Sequence, residues 1–316
     1  MNAPLLPDGI LNIDKAQGMT SMEVVRQVKR VTGQRHCGHG GTLDPVATGV
    51  LPVFLGQATR LMEYLLEGEK EYLGAVRLGV ATDTYDTEGQ TTDERDASGI
   101  SREAVEAALE GFRGLILQTP PMYSALKHEG KRLYDLARRG IEVDREPRSV
   151  QISRIEVVDW QPPLVTLAIR CGRGTYVRSL AHDLGQALGC GAHLAALRRT
   201  RSGAFRVEEA ITLERLREAV AAGGGKGLLL PLDYVVLHLK ALTLNPLEED
   251  MVRSGQPVRL SPRTHSAEHM ETRRAYDAER RFVALLRFNG PIRQWEPHKV
   301  FQAGSPSPYL QEDALV

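Results

Sequence analysis

Apolar residues recur along the chain with two periods, and the switches between them mark out its elements. In TSMEVVRQVKRVTG (20–33), Val24, Val25, Val28 and Val31 share one face of a 3.6-residue period, which predicts an amphipathic helix. Thr20 with Glu23 three residues on forms a capping box for its first turn, and Gly33 supplies a left-handed stop. A second helix is predicted from Ser101, with Ile100 and Val105 as a hydrophobic staple and Val105, Ala108, Leu109 and Phe112 along one face. Strands are expected at ILNIDK (10–15) and at EYLGAVRLG (71–79), which runs into the turn-rich, acidic TDTYDTEG (82–89).

Alternation is cleanest in LVTLAIRC (164–171), where Val165, Leu167, Ile169 and Cys171 fall on one side of a half-buried strand. It passes through GRGT into YVRSLAHDLGQALG (176–189), a helix with Val177, Leu180, Leu184 and Leu188 as its buried stripe. Strands and helices mix without regular βαβ alternation. That predicts an α+β fold, a mixed or antiparallel central sheet flanked by helices. AVAAGGGKG (219–227) has linker composition. Beyond it, QPVRLSP (256–262), RRFVALLRF (280–288) and HKVFQAG (298–304) read as short strands of a small β-rich domain. One domain is therefore expected over 1–230 and a second over 235–316.

At 316 residues, 42% hydrophobic and 25% charged, the chain falls in the globular class and can build two cores. No apolar run reaches the roughly 20 residues that cross a bilayer, and the start of the chain lacks the basic-then-apolar order of a secretion signal. A cytoplasmic protein without membrane contact is expected. Cys37, Cys171 and Cys190 include no CxxC pair and offer no disulfide framework. Forty basic residues balance forty acidic ones, but not evenly along the chain. Arginines 170, 173, 178, 198, 199, 201 and 206 face only Asp183 between them, while Asp83 to Glu110 is strongly acidic. Between Arg253 and Lys299 ten basic residues outnumber five acids. Two basic zones point to a polyanion held at two places; uneven solvated faces are the plain alternative.

GHGGTLDPVATGVLPVFLG (38–56) sets a single carboxylate, Asp44, on a glycine-rich loop. No Gly-Lys-Ser/Thr follows, and Leu43 stands where a dinucleotide fingerprint needs its last glycine, so nucleotide cradling is excluded. What remains is a backbone able to approach a substrate closely, with Pro45 biasing Asp44 to an extended conformation. An ordinary Asp-Pro turn is the structural alternative. His36, Cys37 and His39, with Cys190 and His193, lack the spacing of paired zinc ligands, so no metal is expected.

Six ordered blocks settle on one family. DKAQGMTS (14–21), GHGGTLDPVATGVLP (38–52), EYLGAVRLGVATDT (71–84), QTPPMYSALKHEGKRLYDLAR (118–138), CGRGTYVRSLAHDLG (171–185) and GAHLAALRRTRSG (191–203) resemble the TruB family of tRNA pseudouridine synthases over nearly all of 9–217. The resemblance implies the pseudouridine synthase fold, an RNA-binding insertion at about 120–147 and a C-terminal PUA-like domain. It implies isomerisation of the T-loop uridine that becomes pseudouridine 55, with no cofactor. By the same resemblance Asp44 is the catalytic aspartate, assisting release of uracil from C1′ as a nucleophile or through a glycal. Tyr72 lies against the target base, and Arg178 pairs with Asp44 and lowers its pKa. Tyr176 and Leu197 line the uracil pocket. His39 fills the space left when the base is flipped out, and Lys15 supports the loop or the RNA backbone.

Two positions depart from the family pattern. Ala16 replaces the proline of DKPxG, and Gly40 replaces the threonine of HTGTLDP. Outside the pocket, Lys127, Lys131, Arg132, Arg138 and Arg139 with Tyr134 would meet phosphates, and the C-terminal domain the acceptor stem. The expected partner is tRNA alone, bound by a monomer with no obligatory protein partner. Two other functions would use the same surfaces: a tRNA chaperone remodelling the elbow without chemistry, and an RNA-guided rRNA synthase dependent on partner proteins.

Overall fold

The computed structural model describes residues 5–310 except 125, 138, 261–266 and 303. Arg138 and the end of QPVRLSP lie outside the described residues, as does the side chain of Lys127. The first half of the chain forms β1 (Gly9–Lys15), α1 (Ser21–Thr32), β2 (Cys37–His39), β3 (Ala47–Leu55), α2 (Met62–Glu67), β4 (Lys70–Leu78), β5 (Val80–Thr82), β6 (Thr91–Glu94), α3 (Arg102–Leu109) and β7 (Gly114–Gln118). There follow β8 (Lys127–His128), β9 (Lys131–Arg132), α4 (Leu133–Ala137), β10 (Arg148–Gln161), β11 (Leu164–Cys171), α5 (Val177–Ala187), β12 (Ala192–Ser202), β13 (Phe205–Arg206) and α6 (Leu213–Ala221). The last part holds β14 (Ala241–Thr243), α7 (Pro246–Arg253), β15 (Thr272–Tyr276), β16 (Phe282–Asn289) and β17 (Gln294–Val300).

The central sheet runs β1-β3-β12-β4-β11-β10-β7, with β2 added to β3 and β13 to β12. Its pairings are antiparallel except β3 with β12, so the fold is α+β with a mixed sheet flanked by helices. That one parallel pair sets Ala47–Gly49, just after the Asp44 loop, beside Leu197–Arg199. Helix α1 begins and ends on the chemistry of its caps. Thr20 and Glu23 close the capping box, and Gly33 stops the helix at φ 68°. Strand β11 buries Val165, Leu167, Ile169 and Cys171 on one face, following its alternation.

Strand β3 is buried on both faces, and its period of two divides it between two cores. Leu51, Val53 and Leu55 join α1 in the first. Val50 and Phe54 turn the other way, into a core shared with Val235, Tyr276, Phe282 and Phe301 of the C-terminal part. That part is a four-stranded sheet, β14-β15-β16-β17, packed with α7. Of its three expected strands, RRFVALLRF matches β16, only the first three residues of HKVFQAG fall in β17, and the described residues of QPVRLSP contribute a bridge between Val258 and Trp295.

The glycine-rich 219–227 stretch is not a free linker. Helix α6 runs through Ala221, and Gly225 is buried where a Cβ would stand 2.6 Å from Val220 Cγ2. Leu230 then exchanges two backbone hydrogen bonds with Ile10, extending the edge of β1. Small residues here permit close packing rather than motion.

Gly40 has a comparable reason. A Cβ there would lie 2.2 Å from Leu65 Cδ2 and 3.0 Å from Phe54 Cε2, so a buried leucine fills the space that a side chain at position 40 would need. Gly40→Thr is expected to cost about 1–3 kcal/mol by overpacking, and Leu65→Ala about 2–5 kcal/mol as a cavity. The double variant should be clearly less destabilised than the sum, as read by urea denaturation; strict additivity would refute the link between the two positions.

Candidate active site

The loop carrying Asp44 is tied down from four directions. Ser21 of α1 accepts from Leu43 N at 2.8 Å and donates to Leu43 O at 3.0 Å. The Pro45 carbonyl accepts from Gly18 N at 2.8 Å and from Lys15 Nζ at 3.3 Å. Arg199, 1% exposed, donates from Nε to Val50 O at 2.7 Å and from Nη2 to Gly41 O at 3.0 Å. Gly49, at φ 99°, lies so close to β12 that a Cβ would come within 2.2 Å of Arg199 O. Only glycine fits there.

Arg178 reaches the carboxylate from the first turn of α5. Gln118, at the end of β7, fixes that turn by accepting from Tyr176 N at 2.8 Å and donating to Tyr176 O at 3.0 Å. Arg178 Nε stands 2.9 Å from Asp44 Oδ2 as an ion pair that lies off the line of the N–H. Behind it, Nη1 is 3.4 Å from Asp86 Oδ2 and 3.3 Å from Thr84 O, and Nη2 donates to Tyr123 O at 3.0 Å. The Arg178 and Asp86 side chains are 5% and 2% exposed, whereas that of Asp44 is 35% exposed. The carboxylate alone opens outward from a buried charge network.

Tyr72 stands on β4 opposite Arg199, and burial raises its pKa against the pull of that guanidinium. Burial likewise raises Tyr176, and the Asp44 charge acts on both phenols in the same direction. Both rings are therefore neutral phenols within the field of the carboxylate. Leu197, 8% exposed on β12, is paired with Ala47 and Gly74. His39, on β2, is held below its usual pKa by burial and by Arg199, and its Nδ1 is buried without a hydrogen-bond partner.

A family model for the N-terminal domain of TruB family pseudouridylate synthases matches residues 29–177, and one for the C-terminal domain of tRNA pseudouridylate synthase B matches 178–237. The tRNA pseudouridine synthase B of Dehalococcoides mccartyi is 46% identical over 303 residues, covering 95% of this chain and 99% of its own. The chain belongs to the TruB family. It is a pseudouridine synthase, an isomerase. The tRNA pseudouridine synthase B of Pseudomonas aeruginosa is 48% identical over 254 residues, 79% of this chain and 83% of that protein. Among solved structures, a chain of a Cbf5–Nop10–Gar1 complex superposes with TM-score 0.68 at 27% identity, covering 96% of this chain and 87% of its own. A chain of an H/ACA particle bound to a substrate RNA gives 0.67 at 26%, with the same shares covered.

In this TruB-family chain one expectation needs correcting. Asp44 does not titrate below the ordinary carboxylate range. Burial raises its pKa, Arg178 opposes the rise and Asp86 adds to it. Lys15 is fully buried with its Nζ on Ala16 O and Pro45 O, so it braces the loop from beneath and cannot reach an RNA backbone. Among the described residues no cluster of His, Cys, Asp or Glu is arranged to hold a metal ion.

Residue-type reasoning also missed Asp86, Arg199 and Gln118, which hold the TruB-family site together. Asp86 lay within the acidic zone, where only its Asx-turn neighbours, Thr84 and Glu88, set it apart. Arg199 was legible by parity alone, two residues from Leu197 on the same strand face.

Burial lowers the pKa of Lys15 to about 8. Between that value and the ordinary 10.5 the unfolded chain binds more protons, so stability rises with pH. Unfolding free energies from pH 7 to 10 should therefore show wild type gaining on Lys15→Met above about pH 8, by up to about 3 kcal/mol. Parallel pH profiles would refute the buried, charged lysine.

Proposed function

We propose that this enzyme converts the T-loop uridine at position 55 of tRNA to pseudouridine, with Asp44 as the group that breaks and remakes the ribose–uracil linkage. The observation that carries this reading is the partly open Asp44 carboxylate, ion-paired to buried Arg178 and with its charge felt by the neutral phenols of Tyr72 and Tyr176. A uridine stacked in a folded loop is out of reach, so it must be extruded into the cleft. Tyr72 then lies against the base, with Tyr176 and Leu197 as further walls. His39, neutral and on a short strand at the rim, fills the space the base leaves.

Ionised Asp44 acts on the ribose, either attacking C1′ or taking a proton to give a glycal; in both routes its charge offsets cationic character at the anomeric carbon. The uracil turns and rejoins through C5, and the C5 proton leaves last, with Tyr72 placed to assist. Atoms are only rearranged, so the chemistry calls for no redox partner. Similarity to relatives named tRNA pseudouridine synthase B, at 46–48% identity, favours tRNA over the substrate RNA of the H/ACA particle, at 26%.

Outside the cleft, the insertion folds on a small core of Met122, Leu133 and Leu136. It carries a concavity of about 420 Å³ lined by Lys131, Arg132, Asp135 and Arg139. These cations would hold phosphates around the T-loop, and the small C-terminal sheet the acceptor stem. The enzyme works as a monomer in the cytoplasm.

Asp44→Asn should abolish pseudouridine at position 55 of a tRNA transcript while leaving tRNA affinity within about threefold; mass-neutral base mapping reads the first and filter binding the second. Pseudouridine made by that variant would end the proposal. Because the ionised form acts and burial raises its pKa, kcat/KM for wild type should fall as pH drops through a value above the ordinary carboxylate range, about 4. A profile flat to pH 4 would contradict this. Lys131→Ala should weaken binding and flatten the salt dependence of log affinity by about one phosphate contact. An unchanged slope would remove that lysine from the interface.

A further inference from the structure

The turn Thr84–Tyr85–Asp86 meets α5 with three consecutive residues. Thr84 O and the Asp86 carboxylate both face Arg178, and between them the Tyr85 ring stacks on His182 with centroids 3.9 Å apart and planes 17° from parallel. His182 lies one helical turn beyond Arg178, so ring and guanidinium share a helix face. Tyr85 takes φ 65°, a left-handed conformation disfavoured for a bulky side chain, which persists only where its surroundings enforce it. The enforcing contacts are on the page. Leu194 N donates to Tyr85 O at 2.9 Å, Tyr85 N donates to Thr82 O at 3.3 Å, and Asp86 accepts at Oδ1 from Thr84 Oγ1 at 2.6 Å and from Glu88 N at 3.0 Å. His182 Nδ1 is buried with no hydrogen-bond partner, so no hydrogen bond from that nitrogen sets the orientation of the ring against Tyr85.

We propose that the Tyr85–His182 stack is a positioning clamp: it holds the strained turn against α5, so that Asp86 and Thr84 O keep Arg178 aimed at Asp44. Neither ring is a catalytic residue; both act through Arg178. Without the stack, the turn relaxes from its left-handed conformation, Asp86 and Thr84 O draw back, and Arg178 is left with Tyr123 O as its remaining anchor. Its hold on Asp44 loosens while the RNA-facing surface stays as it was. The inference rests on the role proposed for Asp44.

The groups acting on Asp44 are Arg178, Asp86 and Lys15, with Arg178 the strongest of the three. A loosened Arg178 therefore moves the acid limb of kcat/KM to higher pH. The test measures turnover of a tRNA transcript by Tyr85→Gly, which accepts φ 65° without a ring, and by His182→Ala, with Tyr85→Phe and His182→Phe as variants that keep two stacked rings. Expected are a roughly tenfold loss in kcat for the first two, KM within twofold, and an acid limb displaced upward by about half a pH unit or more. The two phenylalanine variants should match wild type in all three. A purely structural role would lower the melting temperature and leave kcat and the acid limb in place, and that result overturns the clamp. So does His182→Phe turning over as slowly as His182→Ala. Asp44→Asn serves as the control: turnover by that variant would sink the Asp44 reading and the clamp with it, whereas an inactive Asp44→Asn beside an unaffected Tyr85→Gly sinks the clamp alone.

Discussion

A guanidinium withdrawn from water must be met on every side or it does not stay in place. Arg178, with a side chain only 5% exposed, is met by Asp44, Asp86, Thr84 O and Tyr123 O. Those four partners come from the glycine-rich loop, the acidic turn and the first part of the insertion, while Arg178 itself belongs to α5. One buried cation thus couples four stretches far apart in sequence. Desolvating it is costly, and losing a partner leaves charge uncompensated, so the arrangement persists only if all four arrive together. The fold around it can be understood as the means of bringing them there.

The central sheet does this through its single parallel pairing. Setting β3 alongside β12 places the Asp44 loop over Arg199, whose two backbone contacts fix the loop's near and far sides. The same strand, β3, turns alternate residues toward two cores, so the loop in front of it is anchored to the helices of the first and to the C-terminal sheet of the second. A C-terminal part joined by an apolar core rather than a loose tether moves with the site.

Periodicity made much of this legible. Helix α1 with both its caps, the alternation of β11 and the stripe of α5 follow from local rules that burial then enforces. Asp44 stood out because nothing beside it in sequence offered another chemistry. Less legible were groups whose meaning depends on partners distant in the chain. Asp86 is an acid in an acidic stretch until Arg178 arrives, and Arg199 is one of seven arginines until β12 turns it inward. Glycine was ambiguous for a related reason. In 219–227 it signalled flexibility by composition, yet Gly225 serves close packing, and Gly40 is explained by Leu65, 25 residues away. The upward shift of Asp44 escaped for want of a burial value: an opposite charge was foreseeable, the desolvation opposing it was not.

That contest bears on how the proposed chemistry would run. Asp44 is held at 2.9 Å mainly by charge, with the Arg178 Nε–H directed off that line. A carboxylate accepting several aligned bonds would be more acidic and less disposed to act on a sugar carbon or proton. One held mainly by attraction keeps more of its basicity. When a flipped base enters and expels water, the desolvation of Asp44 deepens, and the pull of Arg178 strengthens in the same lowered dielectric. The pairing and the burial would rise together, each opposing the other's effect on the proton of Asp44.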